Sequence, residues 1–210
     1  TQGVSSAASD VYKRQAAEIA IASWRSSFCG TKTNQVQNLH IATARSGNVI
    51  GGGDWADDRI VPDAVRSLSD GQQIKVRRPS ATRPWQHVLE PLCGYMMLAE
   101  KLHTVGHAYE TAFNFGPKLE SNRTVRELIE ALLVHWPGRW NYLPESGDLH
   151  EASRLHLQID KAYQEIGWTP RWSFATTVER TVAWYRSVNK GASPLECCLA
   201  DIHAYQISIN

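Results

Sequence analysis

Apolar positions recur at helical spacing in several stretches of this chain, and short runs of β type separate them. Ala17, Ile21, Trp24 and Phe28 share one face, which predicts an amphipathic helix over 16–29. A second helix is predicted over 58–70, with Pro62 near its start and Asp70-Gly71 as its stop. A third covers 90–103. A fourth, over 125–135, opens on a capping box with Thr124 at the N-cap and Glu127 three residues on. Asp160 caps a short helix that ends at Gly167. Residues 176–189 form the last well-marked helix, and 193–207 read as a peripheral one.

Strands are predicted over 39–45, 73–77, 85–88, 112–117, 139–142 and 154–157. Helices and strands alternate, so the fold class is α/β. The strands after residue 72 are short and scattered, and no internal repeat is present. The first fifteen residues lack periodicity and are rich in Ser, Ala and Gly. They read either as a cloning or sequencing scar or as a native disordered start, and the fold is expected to begin at Ala16.

One segment carries most of the chemistry: Ala44-Arg-Ser-Gly-Asn-Val-Ile-Gly-Gly-Gly-Asp-Trp55. A strand feeds a glycine-rich loop that opens a charged helix, a layout that builds ligand sites in open α/β sheets. Three successive glycines permit positive φ and let backbone approach a ligand closely. Asn48 can both donate and accept hydrogen bonds. The expected ligand is polar and bears phosphate. The G-x-G-x-x-G spacing of a dinucleotide fingerprint is absent, and no Gly-Lys-Ser/Thr follows to make a Walker loop. A cofactor half, if the protein has one, lies upstream of these residues.

Composition narrows the partners. The chain has 210 residues, 42% of them hydrophobic and 20% charged, with a net charge of +1, so nothing favours nucleic acid or an anionic membrane as a partner. No apolar run reaches the ~18 residues of a membrane span, and no signal-peptide pattern is present. The four cysteines have neither metal-site nor disulfide spacing, which suits a reducing cytoplasm. Of the eight tryptophans, Trp136, Trp168, Trp172 and Trp184 are expected in the core.

Residues Ala44 to Arg66 resemble the substrate loop of the extended short-chain dehydrogenases/reductases, and among them look most like the CDP-glucose 4,6-dehydratases. Four further segments agree: Arg83-Pro-Trp-Gln-His-Val-Leu-Glu-Pro91, Phe113-Asn-Phe-Gly-Pro117, Leu155 to Pro170 with Ile166-Gly167-Trp168, and Cys198 to Gln206. The resemblance spans residues 16–207. It implies the C-terminal part of a Rossmann-type enzyme with its small substrate lobe. Residues 16–48 would be the last elements of the NAD-binding domain, 49–192 mainly the nucleotide-sugar lobe with returning Rossmann elements, and 193–210 a tail helix. It also implies NAD as cofactor, a nucleotide sugar as partner, a homodimer or higher homo-oligomer at full length, and a place in deoxysugar synthesis for lipopolysaccharide O-antigen.

In that family a Tyr-x-x-x-Lys pair removes the C4 proton while NAD accepts hydride. A carboxylate pair eliminates water across C5 and C6, and the hydride returns to C6. By register from Ala17-Glu18, the lysine position is Arg14 and the tyrosine position is Asp10. Arginine holds its proton and aspartate is no phenol, so no catalytic residue is assigned and the chain is expected to be inactive.

The resemblance assigns Asn48 and Arg83 to the diphosphate, Arg83 because a guanidinium matches phosphate oxygens bidentately. Gly52, Arg59 and Trp85 are assigned to the substrate wall, His150 and Glu151 to the ribose, and the Ser46 backbone to the nicotinamide. Each has a structural reading beside it: loop capping for Asn48, an ion pair for Arg83, a solvated helix charge for Arg59, and packing for Trp85. His87 shares a strand face with Trp85 and has the same two readings. Another extended epimerase or dehydratase, or a non-catalytic nucleotide-sugar-binding module, remains open. Loss of upstream strands would bare an edge and an apolar face, so poor solubility is expected.

Overall fold

The structure is a computed structural model that describes residues 6–29, 39–144 and 156–208. It opens with helix α1, Ser6–Phe28, ten residues earlier than periodicity marks. The added turns are rich in alanine and serine. Alanine favours helix intrinsically, but such a stretch carries no apolar stripe to reveal it. The face that periodicity does mark is largely open, with Trp24 and Phe28 exposed and their rings tilted at 40° with centroids 4.5 Å apart. Glu18 ties the helix to the next strand, accepting from Thr43 Oγ1 at 3.0 Å and pairing with Arg45 at 3.6 Å.

Strand β1, Thr43–Ser46, pairs in parallel with β5, Ala112–Phe115, so that Ser46 stands opposite Phe115. β1 is thus shorter at its start than predicted, because only these residues have ladder partners. One residue later the chain joins a different sheet. Strand β2, Asn48–Ile50, pairs in parallel with β4, Thr82–His87, and β4 pairs antiparallel with β6, Asn122–Thr124. A third, two-stranded sheet joins β3, Ile74–Val76, to β7, Trp140–Tyr142.

Helix α2, Ile60–Ser69, packs Val61, Ala64, Val65 and Leu68 inward. Pro62 stands in its first turn, where a missing N–H breaks no intrahelical bond. Helix α3, Leu89–Thr104, follows β4 directly, and α4, Val125–His135, opens on the predicted capping box of Thr124 and Glu127. A π-turn over Ala162–Ile166 replaces the regular helix predicted after Asp160, and Gly167 ends it in the left-handed region at φ 78°. Helix α5, Phe174–Asn189, starts two residues early because Ser173 caps it, and α6, Pro194–Ile207, forms the tail.

Two cores result. The larger joins Ile50, Val65, Ile74, Trp85, Leu128, Val182 and Trp184. The smaller joins Leu98, Phe113, Phe115, Ile166 and Trp168. Trp168 and Trp184 are buried as expected, whereas Trp136 and Trp172 are only partly so. Residues 156–159 run without regular structure, and the rest of the predicted strand over 154–157 lies outside the described residues. Among the described residues no helix is long and apolar enough to cross a membrane.

Candidate functional site

The candidate site lies where the chain changes sheet. Gly47 is the only residue between β1 and β2, and a Cβ there would stand 2.9 Å from the Pro84 carbonyl oxygen. The carboxyl ends of β1 and β5 meet this bend, the position at which open α/β sheets bind ligands. Gln86 spans the same junction. Its Nε2 donates to the Phe115 carbonyl at 2.9 Å across the two sheets.

The glycine run is built differently from its expectation. Of the three glycines only Gly53 has positive φ, at 86°. Gly51 and Gly52 are needed for packing by the protein itself. A Cβ on Gly51 would lie 2.8 Å from Val88, and one on Gly52 would lie 2.0 Å from the Trp184 indole. Tyr185 holds the end of the loop by donating to the Asp54 carbonyl at 2.6 Å. Burial above all, helped by the Asp54 charge, pushes its hydroxyl up to about 12, so it remains a donor. Arg66 of α2 clasps the next turn, donating to the Trp55 carbonyl at 3.0 Å and the Ala56 carbonyl at 3.3 Å, and pairing with Asp63.

Asn48 begins β2 opposite Trp85, and Ser46 ends β1 opposite Phe115, so both flank the bend. Arg83 is buried, at 8% exposure, and donates to the Thr82 carbonyl at 2.9 Å. Directly across the β4–β6 pair stands Arg123. Opposed residues of an antiparallel pair share a face, and like charges there are unfavourable unless something balances them. Arg123 leans away, its guanidinium 6.0 Å from the Phe174 ring and 3.8 Å from Glu127. Arg83 is thus a buried guanidinium beside the bend.

Two assignments change. Trp85 is a core residue and not a pocket wall: it is 4% exposed, packs in the larger core, and its indole donates to the Arg123 carbonyl at 3.0 Å. Arg59 is an exposed cation that pairs with Asp54 at 2.9 Å, the solvated-charge reading with a loop partner added. His150 and Glu151 lie outside the described residues. Positions 10 and 14 stand one turn apart in α1, so the helical spacing of a Tyr-x-x-x-Lys pair is there, but the residues are Asp10 and Arg14.

Three asparagine and glutamine side chains were not legible as site residues. Asn114 donates to the Gln158 carbonyl at 3.2 Å, and Asn122 bonds His156 at 3.3 Å. These contacts lay 156–159 across the ends of β5 and β6. The amide oxygens of Asn114, Asn122 and Gln86 are buried with no hydrogen-bond partner among the described residues. A buried unmet acceptor is costly, and a ligand hydroxyl would relieve it.

His87 is buried beside this junction. Its Nδ1 accepts from the Leu89 N–H at 3.3 Å, and its ring lies 4.7 Å from that of Trp172. Burial first, and Arg180 second, lower it to about 4, so it is neutral at pH 7. Glu90, three residues on, is a buried carboxylate. It accepts from the Arg171 and Trp172 N–H groups at 2.9 and 2.6 Å and from the Tyr205 hydroxyl at 2.7 Å. These bonds fasten the tail helix α6 to the start of α3. All three partners are side chain or backbone of the protein, so Glu90 has a structural role.

No family model matches the chain. It is 38% identical over 190 residues to CDP-glucose 4,6-dehydratase of Salmonella typhimurium, covering 90% of this chain and 53% of that protein. It is 27% identical over 165 residues to dTDP-glucose 4,6-dehydratase of Streptomyces antibioticus, covering 78% and 47%. The chain therefore spans about half the length of the curated relatives it matches. The solved structure of the dTDP-glucose 4,6-dehydratase DesIV of Streptomyces venezuelae, with NAD and TYD bound, has a TM-score of 0.64 at 23% identity over 85% of this chain and 51% of its own. UDP-glucose-4-epimerase of Stenotrophomonas maltophila, with NAD and formylated UDP-arabinopyranose, has a TM-score of 0.63 at 17% identity over 87% and 54%.

Proposed function

We propose that this chain, which belongs to the extended short-chain dehydrogenases/reductases, is the substrate side of a CDP-glucose 4,6-dehydratase and binds a nucleoside diphosphate sugar. The observation that carries the reading is the buried Arg83 beside the sheet-to-sheet bend, with a second arginine in register across from it. Guanidinium forks pair with phosphate oxygens, so a buried arginine at this place suits a diphosphate. The unmet amide oxygens of Asn114, Asn122 and Gln86 suit the many hydroxyl donors of a hexose. Asn48 and Ser46 flank the same bend, Asn48 toward the diphosphate and the Ser46 backbone toward a nicotinamide. His150 and Glu151 remain assigned to the ribose through the family resemblance.

NAD is bound in the dehydratase and epimerase structures that share this fold. The residues of this chain do not fit a complete dinucleotide site. The glycine fingerprint is absent from the sequence, the Cα faces of Gly51 and Gly52 are filled by Val88 and Trp184, and positions 10 and 14 cannot act as the phenol and its lysine. The chain's part is to bind and orient the sugar nucleotide, and no hydride or proton step runs through its own residues. At full length the reading is a cytoplasmic homodimer or higher homo-oligomer that makes a 4-keto-6-deoxy sugar nucleotide for lipopolysaccharide O-antigen.

The test is a titration of the 210-residue chain with CDP, UDP and dTDP. CDP is expected to bind most tightly. Arg83→Gln should weaken it by about ten- to a hundredfold, the loss of one charge-assisted contact. Tighter binding of UDP or dTDP would move the chain to a different nucleotide-sugar enzyme. Absence of nucleotide binding by the folded chain would overturn the reading. Measurable turnover of CDP-glucose would overturn the assignment of inactivity.

A further inference from the structure

The amino ends of β1 and β5, about 13 Å along the strands from the bend, hold a second group of chemically capable side chains. His40 stands three residues before β1, and Glu110 two residues before β5. His107 lies in the short turn His107–Tyr109 that leads into β5. Glu110 is bracketed by the two imidazoles. His40 Nδ1 is 2.8 Å from its Oε1, and His107 Nδ1 is 3.0 Å from its Oε2. The rings meet edge to face with centroids 4.7 Å apart. One donor atom from each residue lies within 4.8 Å of the others.

We propose that His40, His107 and Glu110 form a zinc-type divalent metal site that clips the entry to β1 onto the entry to β5. Two imidazoles and one carboxylate are a borderline donor set that suits Zn(II) and disfavours the hard, all-oxygen ions Ca(II) and Mg(II). Tetrahedral zinc at about 2.1 Å from each ligand needs donor atoms about 3.4 Å apart. The two imidazole–carboxylate distances, one to each oxygen of Glu110, are a few tenths of an ångström shorter than that, and the three donor atoms lie within 4.8 Å of one another, so modest side-chain rotations bring them to an ion.

The ligands are held in place by backbone they do not control. The β1–β5 ladder extends through the Thr43 N–H to the Thr111 carbonyl at 3.1 Å. The turn is closed by the Tyr109 N–H to the Gly106 carbonyl at 3.1 Å. Gly106 has φ 79°, and a Cβ there would stand 2.9 Å from the His40 ring, so only glycine lets the turn seat that ring. His40 and Glu110 are mostly buried at their side chains, 19% and 12% exposed, while His107 at 55% faces solvent. The arrangement has two anchored ligands and one on the open side, from which an ion and a completing water can enter. The site lies at the opposite end of the strands from the sugar-nucleotide bend, so it stands or falls separately from that reading.

The experiment strips the 210-residue chain with a chelator and titrates it with Zn(II) and, separately, Co(II). One ion per chain should bind, thermal stability should rise, and Co(II) should give the intense visible absorption of a four-coordinate site. His107→Ala should weaken zinc by at least about tenfold. Glu110→Gln, which keeps the shape of the turn, should do the same, while His135→Ala should leave binding unchanged. Ca(II) and Mg(II) should not compete. Zinc uptake that is absent, or that is unchanged in both the His107 and Glu110 variants, would overturn the proposal. So would a Co(II) spectrum of the weak, solvated type.

Discussion

Replacing Glu90 by alanine should be among the most damaging single changes in the described structure. The carboxylate is 1% exposed and accepts from three donors, the N–H groups of Arg171 and Trp172 and the hydroxyl of Tyr205. Alanine leaves all three buried and unmet, at about 1 kcal/mol or more apiece, and opens a cavity that adds about 1 kcal/mol. Relief from desolvating a carboxylate offsets part of this, so the net loss should be about 3–4 kcal/mol. For a chain of this length that lowers the melting temperature by about 6–16 °C. Glu90→Gln offers the two N–H groups an amide oxygen and gives Tyr205 a donor to accept from, so it should lose only about 1 kcal/mol. Urea unfolding followed by tryptophan fluorescence reads both, because Trp172 packs between His87 and Tyr205. The pH dependence sharpens the comparison. Burial, against the opposing hydrogen bonds, raises the Glu90 pKa above 4.5 in the folded chain. The wild type therefore loses stability as pH rises from about 4.5 through the folded value, and the glutamine variant does not. Equal losses for alanine and glutamine, or a gap between wild type and glutamine that widens with pH, would refute the view that this carboxylate holds the tail.

Gly52→Ala places a methyl inside the Trp184 ring, so it should destabilise by about 1–3 kcal/mol and weaken nucleotide binding, both readable by melting and titration. Burial raises Asp201 from 3.8 to about 6, with Arg180 at 3.8 Å opposing. Its folded pKa lies above the unfolded one, so stability is lost as pH rises from about 3.8 to about 6. Asp201→Asn should then be more stable than wild type at pH 7 in a urea melt. His87 shifts the other way, from 6.5 to about 4, so protonation erodes stability as pH falls through that window. His87→Asn keeps an acceptor for the Leu89 N–H and should flatten the acid limb of the stability curve. Ile19 and Trp24 are 71% and 62% exposed, so replacing both by lysine should shift the chain toward monomer in sedimentation.

Local signals in the sequence translated well where one element is decided by its own residues. The Thr124–Glu127 box, Pro62 in the first turn of α2 and Gly167 as a left-handed stop are set within a few residues, and each is where the pattern puts it. The signals failed where partners are distant. Asn48–Ile50 reads as loop because its strand character comes from β4, some 37 residues away in register. The clasp of Glu90 by Tyr205 joins residues 115 apart, and no spacing rule reveals it. The glycine run was legible as a place of close approach, but the approaching group is the Trp184 indole on a helix far along the chain. Of the candidate site, Arg83 and Asn48 could be found from motif resemblance. Asn114 and Asn122 could not, because their significance rests on buried oxygens that only the tertiary arrangement leaves unmet.

Gly47 has a mechanical meaning beyond its tight fit against Pro84. The residues on either side of it are committed to ladders in two different sheets, one bonded to β5 and the other to β4. A single residue thus joins the two ladders, and it has no slack. A one-residue insertion there could not be absorbed as a loop. It would have to slip one register or the other, turning Ser46 or Asn48 to the opposite face. The distance between anything held at the end of β1 and anything held along β2 is therefore fixed by covalent geometry, and length variation among related chains should be excluded from this step.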